Sequence, residues 1–349
     1  MNNWVLSLRS IVNGENPSTD ISNILYEHDC LYLLSKLDNN ELVKKLRIEK
    51  NLVSYWAKIY YTQCKLVFKQ LNESNIPYAV IKGIVLSEMA YKNPFFRKFS
   101  DLDLLISREF INDIKSILYS EGFMQGRIVD NNVSLFSREE LIYQAANTHQ
   151  LAPFVKPTGD IFCPFVTVDV NYDIMWGESE RNLNTELILE QVEPIELFGV
   201  KILTLNKEMG FISLCLHHYK DMNSIYLLWE GKAKISLFSD IFYYLKNNDL
   251  NLKKMKELAE MLSVSKYIYY CLFFSYKLFS DSFFLPYLHM FYSKEATLLL
   301  NTYGLSESER KEWRLDFFDR LFPNNVKEYF GKYLTDDEKE KIRLNNLYM

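Results

Sequence analysis

Two aspartates, Asp101 and Asp103, lie two residues apart in the otherwise apolar run DLDLLI. Alternate residues of a β-strand face the same side, so both carboxylates should project together, roughly 7 Å apart, while Leu102 and Leu104 face the core. Two like charges this close repel each other unless a cation lies between them. The spacing indicates a cation site, with a solvated strand end as the alternative.

A third acidic residue, Asp169, lies in the alternating apolar run VTVDV. Burying an unpaired carboxylate is costly, so we expect Asp169 to bind a metal ion or, alternatively, to lie on a solvated sheet face. Mg²⁺ prefers carboxylate oxygens and retains positions for water and phosphate. Two such ions about 4 Å apart stabilise the attacking and leaving oxygens in phosphoryl transfer. Asp101, Asp103 and Asp169 are therefore predicted to form a magnesium site.

The apolar pattern divides the chain into three regions. Residues 1–75 have helical periodicity, which Pro77 ends. Residues 76–205 alternate between strand and helix patterns, and residues 206–349 are helical again. The predicted fold class is α+β, with a small mixed β-sheet core flanked by N-terminal and C-terminal helical regions.

Within the predicted core, strands are expected at YAVI and DLDLLI, each followed by a helix. The first helix begins at Gly83 and the second ends at Gly122. Two more strands are predicted in YQAANTHQLAPFV and FCPFVTVDVNYDIMW. The segment VEPIELFGVKILTL is predicted to form a hairpin or an extended edge around Gly199.

Composition limits the classes of partner. The net charge of −5 argues against a DNA duplex as ligand, because duplex binding needs a basic face. The most apolar stretch, residues 267–276, is about half the length needed to cross a bilayer. The five cysteines contain no Cys-x-x-Cys pair, which favours buried free thiols over a zinc site. With no signal-peptide pattern at the N-terminus, a cytoplasmic location is expected.

The segments IKGIVLSEMAY, SDLDLLI and VDVNYDI together resemble the uncharacterised bacterial nucleotidyltransferase family of the polymerase-β-like superfamily. That family has an apolar strand ending in Lys-Gly, a helix, an Arg shortly before Asp-Ile-Asp, and a later acidic strand. The similarity covers roughly residues 50–250. It is most specific at the Lys-Gly and Asp-Leu-Asp segments.

The resemblance implies a nucleotidyltransferase that uses Mg²⁺ and an NTP, with ATP as the expected nucleotide. Asp101, Asp103 and Asp169 would be the catalytic and metal-binding carboxylates. The nucleotide would be bound by Lys82, Gly83, Arg97 and Ser100. Gly83 opens a helix whose free amides can hold phosphate, and Arg97 is suited to bidentate phosphate contact.

Two positions depart from the pattern that the resemblance implies. The wider superfamily has Gly-Ser where this chain has Gly83-Ile84, so a serine contact to phosphate is replaced by backbone amides and Lys82. The family's acidic strand usually carries a His two residues after the acid, and this chain has Asn171 there. The acceptor chemistry is therefore less defined by the sequence than the metal site.

Three histidines are acceptor-side candidates: His149, before the Asp169 strand, and the adjacent His217 and His218. A core or surface position is the alternative for each, and one of the adjacent pair should face inward. Asp240 is interpreted as a structural partner of a basic core group.

The sequence predicts transfer of NMP from an NTP to a hydroxyl or similar group on a peptide or small molecule, with release of pyrophosphate. A tRNA end is the alternative acceptor. A scaffold that binds a nucleotide or peptide without chemistry is the non-catalytic alternative. The oligomeric state, the base and the acceptor do not follow from the sequence.

Overall fold

A computed structural model of the chain describes residues 2–37, 40–177 and 182–348. These residues form two compact units. The first, which we call the sheet unit, comprises residues 44–177 and 182–210. The second, the helical unit, comprises residues 2–37, 40–43 and 211–348. The three regions predicted from the apolar pattern have other boundaries, at residues 75 and 205, and stay a prediction.

The elements are numbered in chain order. The helices are α1 (Asn3–Val12), α2 (Ser22–Glu27), α3 (Leu31–Leu34), α4 (Asn40–Glu73), α5 (Gly83–Tyr91), α6 (Ile111–Ser120), α7 (Arg138–Asn147), α8 (Thr185–Leu189), α9 (Lys207–Asn223), α10 (Ile225–Trp229), α11 (Ile235–Asn247), α12 (Leu252–Met261), α13 (Ser265–Phe279), α14 (Leu285–Phe291), α15 (Lys294–Leu298), α16 (Phe317–Arg320), α17 (Pro323–Tyr333) and α18 (Asp336–Tyr348). The strands are β1 (Tyr78–Ile81), β2 (Leu102–Ile106), β3 (Met124–Val129), β4 (Asn132–Leu135), β5 (Phe154–Pro157), β6 (Phe165–Asn171), β7 (Val192–Leu197), β8 (Val200–Leu205), β9 (Thr302–Tyr303) and β10 (Lys311–Glu312). Short 3₁₀ turns cover Arg108–Phe110, Ser282–Phe284 and Leu299–Asn301.

In the described part of the sheet unit, eight strands form one mixed sheet in the order β4-β3-β5-β6-β2-β1-β8-β7. β2 runs parallel to β6 and antiparallel to β1, and β1 runs parallel to β8. The other neighbours are antiparallel. The central strands β6, β2 and β1 carry the segments in which the sequence predicted functional residues.

The two faces of these central strands differ in what they contact. Leu102, Leu104 and Ile106 of β2 share one buried cluster with the even-numbered valines of β6. The same cluster contains Phe68 of α4 and Leu118 of α6, so these helices pack on that face. Because side chains alternate along a strand, Asp103, Asp169 and their odd-numbered neighbours face the opposite side.

The helical unit is built mainly from helices with aromatic packing. Phe274 of α13 stacks on Phe317 of α16, with ring centroids 4.1 Å apart. Phe242 of α11 contacts Phe279 of α13, with ring centroids 4.8 Å apart. Strands β9 and β10 form a two-stranded antiparallel sheet. None of the helices that the structure describes combines the length and apolarity that a membrane crossing needs.

The predicted α+β class, a mixed sheet with helical flanks, is confirmed. The strand at YAVI, the helix that begins at Gly83 and the hairpin around Gly199 all occur as predicted. The strand predicted in YQAANTHQLAPFV occurs only at the end of that segment, where β5 begins at Phe154, because α7 continues to Asn147. The hairpin of β3 and β4 was not predicted.

Candidate active site

Backbone register places the acidic strands side by side. Ile81 of β1 is the partner of Asp103 in β2, and Asp103 is the partner of Asp169 in β6. Neighbouring strands lie about 4.8 Å apart, and paired residues face the same side. The carboxylates of Asp103 and Asp169 therefore project from one face at the same level of the sheet. Asp101 lies one residue before β2 begins.

The junction between β1 and α5 lies next to these carboxylates. Lys82 has φ 58° and ψ −150°, and Gly83, the first residue of α5, has φ 46°. A Cβ added to Gly83 would lie 3.9 Å from the carbonyl oxygen of Asp101, so the helix start is adjacent to the Asp101 segment. The first amides of a helix have no partner within the helix and are suited to hold an anion.

Lys82 contacts the carboxylate of Asp103. Its Nζ donates to Oδ1 of Asp103 at 2.8 Å, and 23% of its side chain is exposed against 7% for Asp103. Burial opposes the charge of Lys82, but Asp103, followed by Asp101 and Asp169, raises the pKa of the ammonium above its ordinary value. The positive charge is therefore held in place by the acidic residues around it.

The surroundings of Asp101 disfavour the charged form of its carboxyl group. Burial, followed by the negative charge of Asp103, raises the pKa of Asp101. Lys82, Arg97 and a hydrogen bond from Ser100 oppose this rise. The Ser100 hydroxyl lies 3.3 Å from Oδ2 of Asp101. The structure thus places Lys82, Gly83, Arg97 and Ser100 next to Asp101 and Asp103, with Asp169 on the neighbouring strand in register with Asp103.

Asn171, at the position of the family's histidine, contacts the same carboxylate as Lys82. Its Nδ2 lies 3.2 Å from Oδ1 of Asp103 and 3.5 Å from the carbonyl oxygen of Leu104. An amide that donates to a carboxylate oxygen fixes the direction of the other oxygen. The sequence flagged this position as a departure from the pattern but predicted no contact for it.

Tyr60 of α4 was missed by the sequence analysis. Its hydroxyl donates to the carbonyl oxygen of Ser100 at 2.5 Å and accepts from the amide of Thr167 at 3.4 Å. It therefore connects the segment before Asp101 with the strand of Asp169. No local signal marks it, because neighbouring Tyr61 is equally part of the buried face of this helix.

His149 lies farther along the sheet. Its carbonyl oxygen accepts from the amide of Tyr172, which is three residues, or about 10 Å, beyond Asp169. Its Nδ1 is 3.7 Å from Oδ2 of buried Asp173. Burial lowers the pKa of His149, Asp173 raises it and Arg108 lowers it further. The structure therefore places His149 in a separate polar cluster from that of Asp103 and Asp169.

His217 and His218 lie on α9 in the helical unit, whereas the carboxylates lie in the sheet unit. His218 is fully buried, and its Nε2 is 3.4 Å from Oδ2 of Asp240. His217 is 3.6 Å from Asp221 on the same helix. The contact between His218 and Asp240 matches the interpretation of Asp240 as a structural partner.

The donor set suits a hard divalent cation. Across residues 2–37, 40–177 and 182–348, no three His, Cys, Asp or Glu side chains are close enough together to hold a metal ion as they stand. Asp103 and Asp169 nevertheless present carboxylates at one level, and Asp101 has a raised pKa beside a like charge. These are the oxygen ligands that Mg²⁺ prefers, so Asp101, Asp103 and Asp169 are the residues that could hold it.

A model of the uncharacterised nucleotidyltransferase family matches residues 19–280, about three quarters of the chain. The chain belongs to this family. A search of curated proteins found no match. Membership makes this nucleotidyltransferase a transferase enzyme with an NTP substrate. Nucleotidyltransferases generally use a divalent metal ion, and the matched region includes every residue of the candidate active site.

Proposed function

We propose that this nucleotidyltransferase transfers NMP from an NTP, with ATP as the first nucleotide to test, to a hydroxyl of a peptide or small molecule. The supporting observation is the register that pairs Asp103 with Asp169 directly beside the junction of β1 and α5. A phosphate-binding helix start and a set of carboxylates on one face of a sheet are the two parts that nucleotidyl transfer needs.

The nucleotide side of the proposed site consists of Lys82, Gly83, Arg97 and Ser100. The amides at the start of α5 would hold the triphosphate, because the helix dipole favours an anion at that end. Arg97, whose charge already acts on Asp101, would bind phosphate oxygens through its planar guanidinium. Lys82 would shift from Asp103 towards the phosphates or be shared between them.

The metal side consists of Asp101, Asp103 and Asp169. Mg²⁺ held there would offset the charge of the triphosphate and lower the pKa of the acceptor hydroxyl. In the transfer, the acceptor oxygen forms a bond to the α-phosphorus, and the bond from that phosphorus to the bridging oxygen breaks. Pyrophosphate leaves with that electron pair. The hydroxyl proton passes to Asp169 and then to solvent.

The test is label transfer from α-labelled ATP in the presence of Mg²⁺, with peptides, small hydroxyl compounds and tRNA as acceptors. The double variant Asp101→Asn with Asp103→Asn should reduce transfer at least about a hundredfold. Asp113→Asn, an exposed acidic residue on α6, is the matched control and should keep full activity. Unchanged transfer by the double variant would refute the proposal.

Calorimetry separates catalysis from the non-catalytic scaffold. An enzyme with this metal site should bind ATP more tightly when Mg²⁺ is present. A scaffold should bind its nucleotide equally well with and without Mg²⁺. Labelling of tRNA alone, with no labelling of peptides or small molecules, would replace the proposed acceptor by the tRNA end and leave the proposed site intact.

A further inference from the structure

The parallel pairing of β2 and β6 stops just before Asp101. The first paired residues are Leu102 and Val168. One further pair would place Asp101 opposite Thr167. In a parallel ladder, every second residue of a strand donates its amide to the carbonyl oxygen of the residue before its partner. Thr167 is such a residue, because its amide points to the side of Ser100, where it meets the Tyr60 hydroxyl. A continued ladder would therefore join the Thr167 amide directly to the Ser100 carbonyl oxygen.

The Tyr60 hydroxyl stands between those two backbone groups. It accepts from the Thr167 amide at 3.4 Å and donates to the Ser100 carbonyl oxygen at 2.5 Å. An inserted hydroxyl satisfies both groups but keeps them farther apart than the 2.9–3.0 Å of a direct hydrogen bond. The ladder is thus held open at the level of Asp101.

Tyr60 is fixed in this position by its surroundings. Only 5% of the residue is exposed, and its ring contacts Phe99 edge-on with centroids 5.2 Å apart. Burial raises the pKa of the hydroxyl well above its ordinary value, so it stays protonated and able to donate. Both flanking segments lead into carboxylates: Ser100 precedes Asp101, and Thr167 lies two residues before Asp169.

We propose that Tyr60 is a positioning residue that sets the separation between the Asp101 segment and the Asp169 strand, and thereby the geometry in which these carboxylates bind a divalent cation. The inference rests on the proposed function of the same site. Tyr60 touches no reacting atom and acts only through the two backbone segments. Losing it would leave two buried backbone groups unsatisfied or let them join directly, and either result moves Asp101 relative to Asp169.

The test compares Tyr60→Phe with Tyr61→Phe in the full chain. Tyr61 is the next residue of the same helix, is 1% exposed and packs its ring against Phe68. Each substitution removes one buried hydroxyl, so the pair separates the bridge from a general loss of packing. Mn²⁺ affinity is measured by the loss of the free-ion signal in electron paramagnetic resonance, and thermal unfolding of both variants reports the fold.

Tyr60→Phe should weaken Mn²⁺ binding about tenfold, as expected when a group that orients metal ligands is lost. It should also lower kcat while leaving the KM for ATP near that of the native protein. Tyr61→Phe should change neither value. A general structural effect would instead alter kcat and KM together, and to a similar extent in Tyr61→Phe, which would overturn the positioning role.

Two negative results have different meanings. If the native protein binds Mn²⁺ and Tyr60→Phe binds it equally well with an unchanged kcat, Tyr60 has no positioning role and the proposed function stands. If the native protein binds no Mn²⁺ and transfers no nucleotide, the proposed function is wrong and this inference is overturned with it.

Discussion

Lys82 has a backbone conformation that side chains of L-amino acids rarely adopt. With φ 58° and ψ −150° it occupies a region that glycine favours, which costs about 1–3 kcal/mol. Its ammonium contacts the carboxylate of Asp103. Strain of this kind persists where surrounding structure fixes it, and such positions cluster at functional sites. Position 82 thus carries a charged side chain although glycine would fit its backbone conformation better.

Two substitutions of Lys82 separate backbone strain from charge. Lys82→Ala and Lys82→Gly both remove the ammonium, but only glycine relieves the strained backbone. We expect the free energy of unfolding, measured in urea, to be about 1 kcal/mol higher for Lys82→Gly than for Lys82→Ala. ATP binding, measured by calorimetry, should weaken equally in both. Equal stability of the two variants would show that the conformation carries no strain.

At the residue scale the sequence identified the carboxylates because charges within apolar alternation are conspicuous. Asp103 and Asp169 each interrupt such a run, and the structure pairs them in register. Asn171 and Tyr60 lacked a comparable signal. Their contacts depend on which backbone groups approach them from other elements, and a single segment of sequence does not contain that information.

The junction of β1 and α5 is the element on which nucleotide binding depends in our proposal. Gly83 has φ 46°, and a Cβ there would meet Phe99 at 3.8 Å, an ordinary contact distance. An alanine at position 83 would therefore have space for its Cβ, but its backbone would be strained at this positive φ. We expect the free energy of unfolding to fall by about 1–3 kcal/mol, and ATP affinity to fall with it because the first amides of α5 move.

Gly331→Ala in α17 is the control for this substitution. A Cβ at Gly331 has no neighbour within 4 Å, and the residue lies inside a helix. Alanine should there raise the free energy of unfolding by about 0.5–1 kcal/mol. Chemical denaturation of the two variants should thus give shifts of opposite sign. Shifts of the same sign would contradict the assigned strain at Gly83.

Helix α7 shows why the predicted start of one strand was wrong. Ser137 accepts from the amide of Glu140 at 3.2 Å, and the Glu140 carboxylate accepts from the amide of Ser137 at 2.7 Å. This capping box fixes the start of a helix. The sequence SREE contains that signature, but the apolar residues after it were assigned to a strand. The capping-box pattern predicts the observed helix, whereas the apolar pattern after it does not.

At the scale of the whole molecule, the helical unit contains a buried histidine that makes stability depend on pH. His28 accepts from the amide of Ile235 through Nδ1 at 3.2 Å. Burial, assisted by the charge of Lys234 and opposed by Asp29, lowers the pKa of His28 to about 4. The unfolded chain, with an ordinary pKa near 6.5, binds a proton at higher pH than the folded chain does.

Stability contributed by neutral His28 is therefore complete above pH 6.5 and is lost as the pH falls towards 4. Between pH 7 and pH 5 this should lower the free energy of unfolding by about 2 kcal/mol. His28→Asn, which can still accept from Ile235, should remove most of this pH dependence. His289→Asn, at an exposed position, should retain it. Denaturant unfolding of the three proteins at both pH values provides the measurement.

Local patterns in the chain predicted the fold class, the central strands and the candidate carboxylates, because apolar periodicity and the charges that interrupt it involve only neighbouring residues. Three features came from the folded structure alone: the register between Asp103 and Asp169, the contact of Lys82 with Asp103, and the Tyr60 hydroxyl between two strands. These depend on pairing between segments distant in the chain. Each contact stabilises the protein only once folding has brought its two partners together.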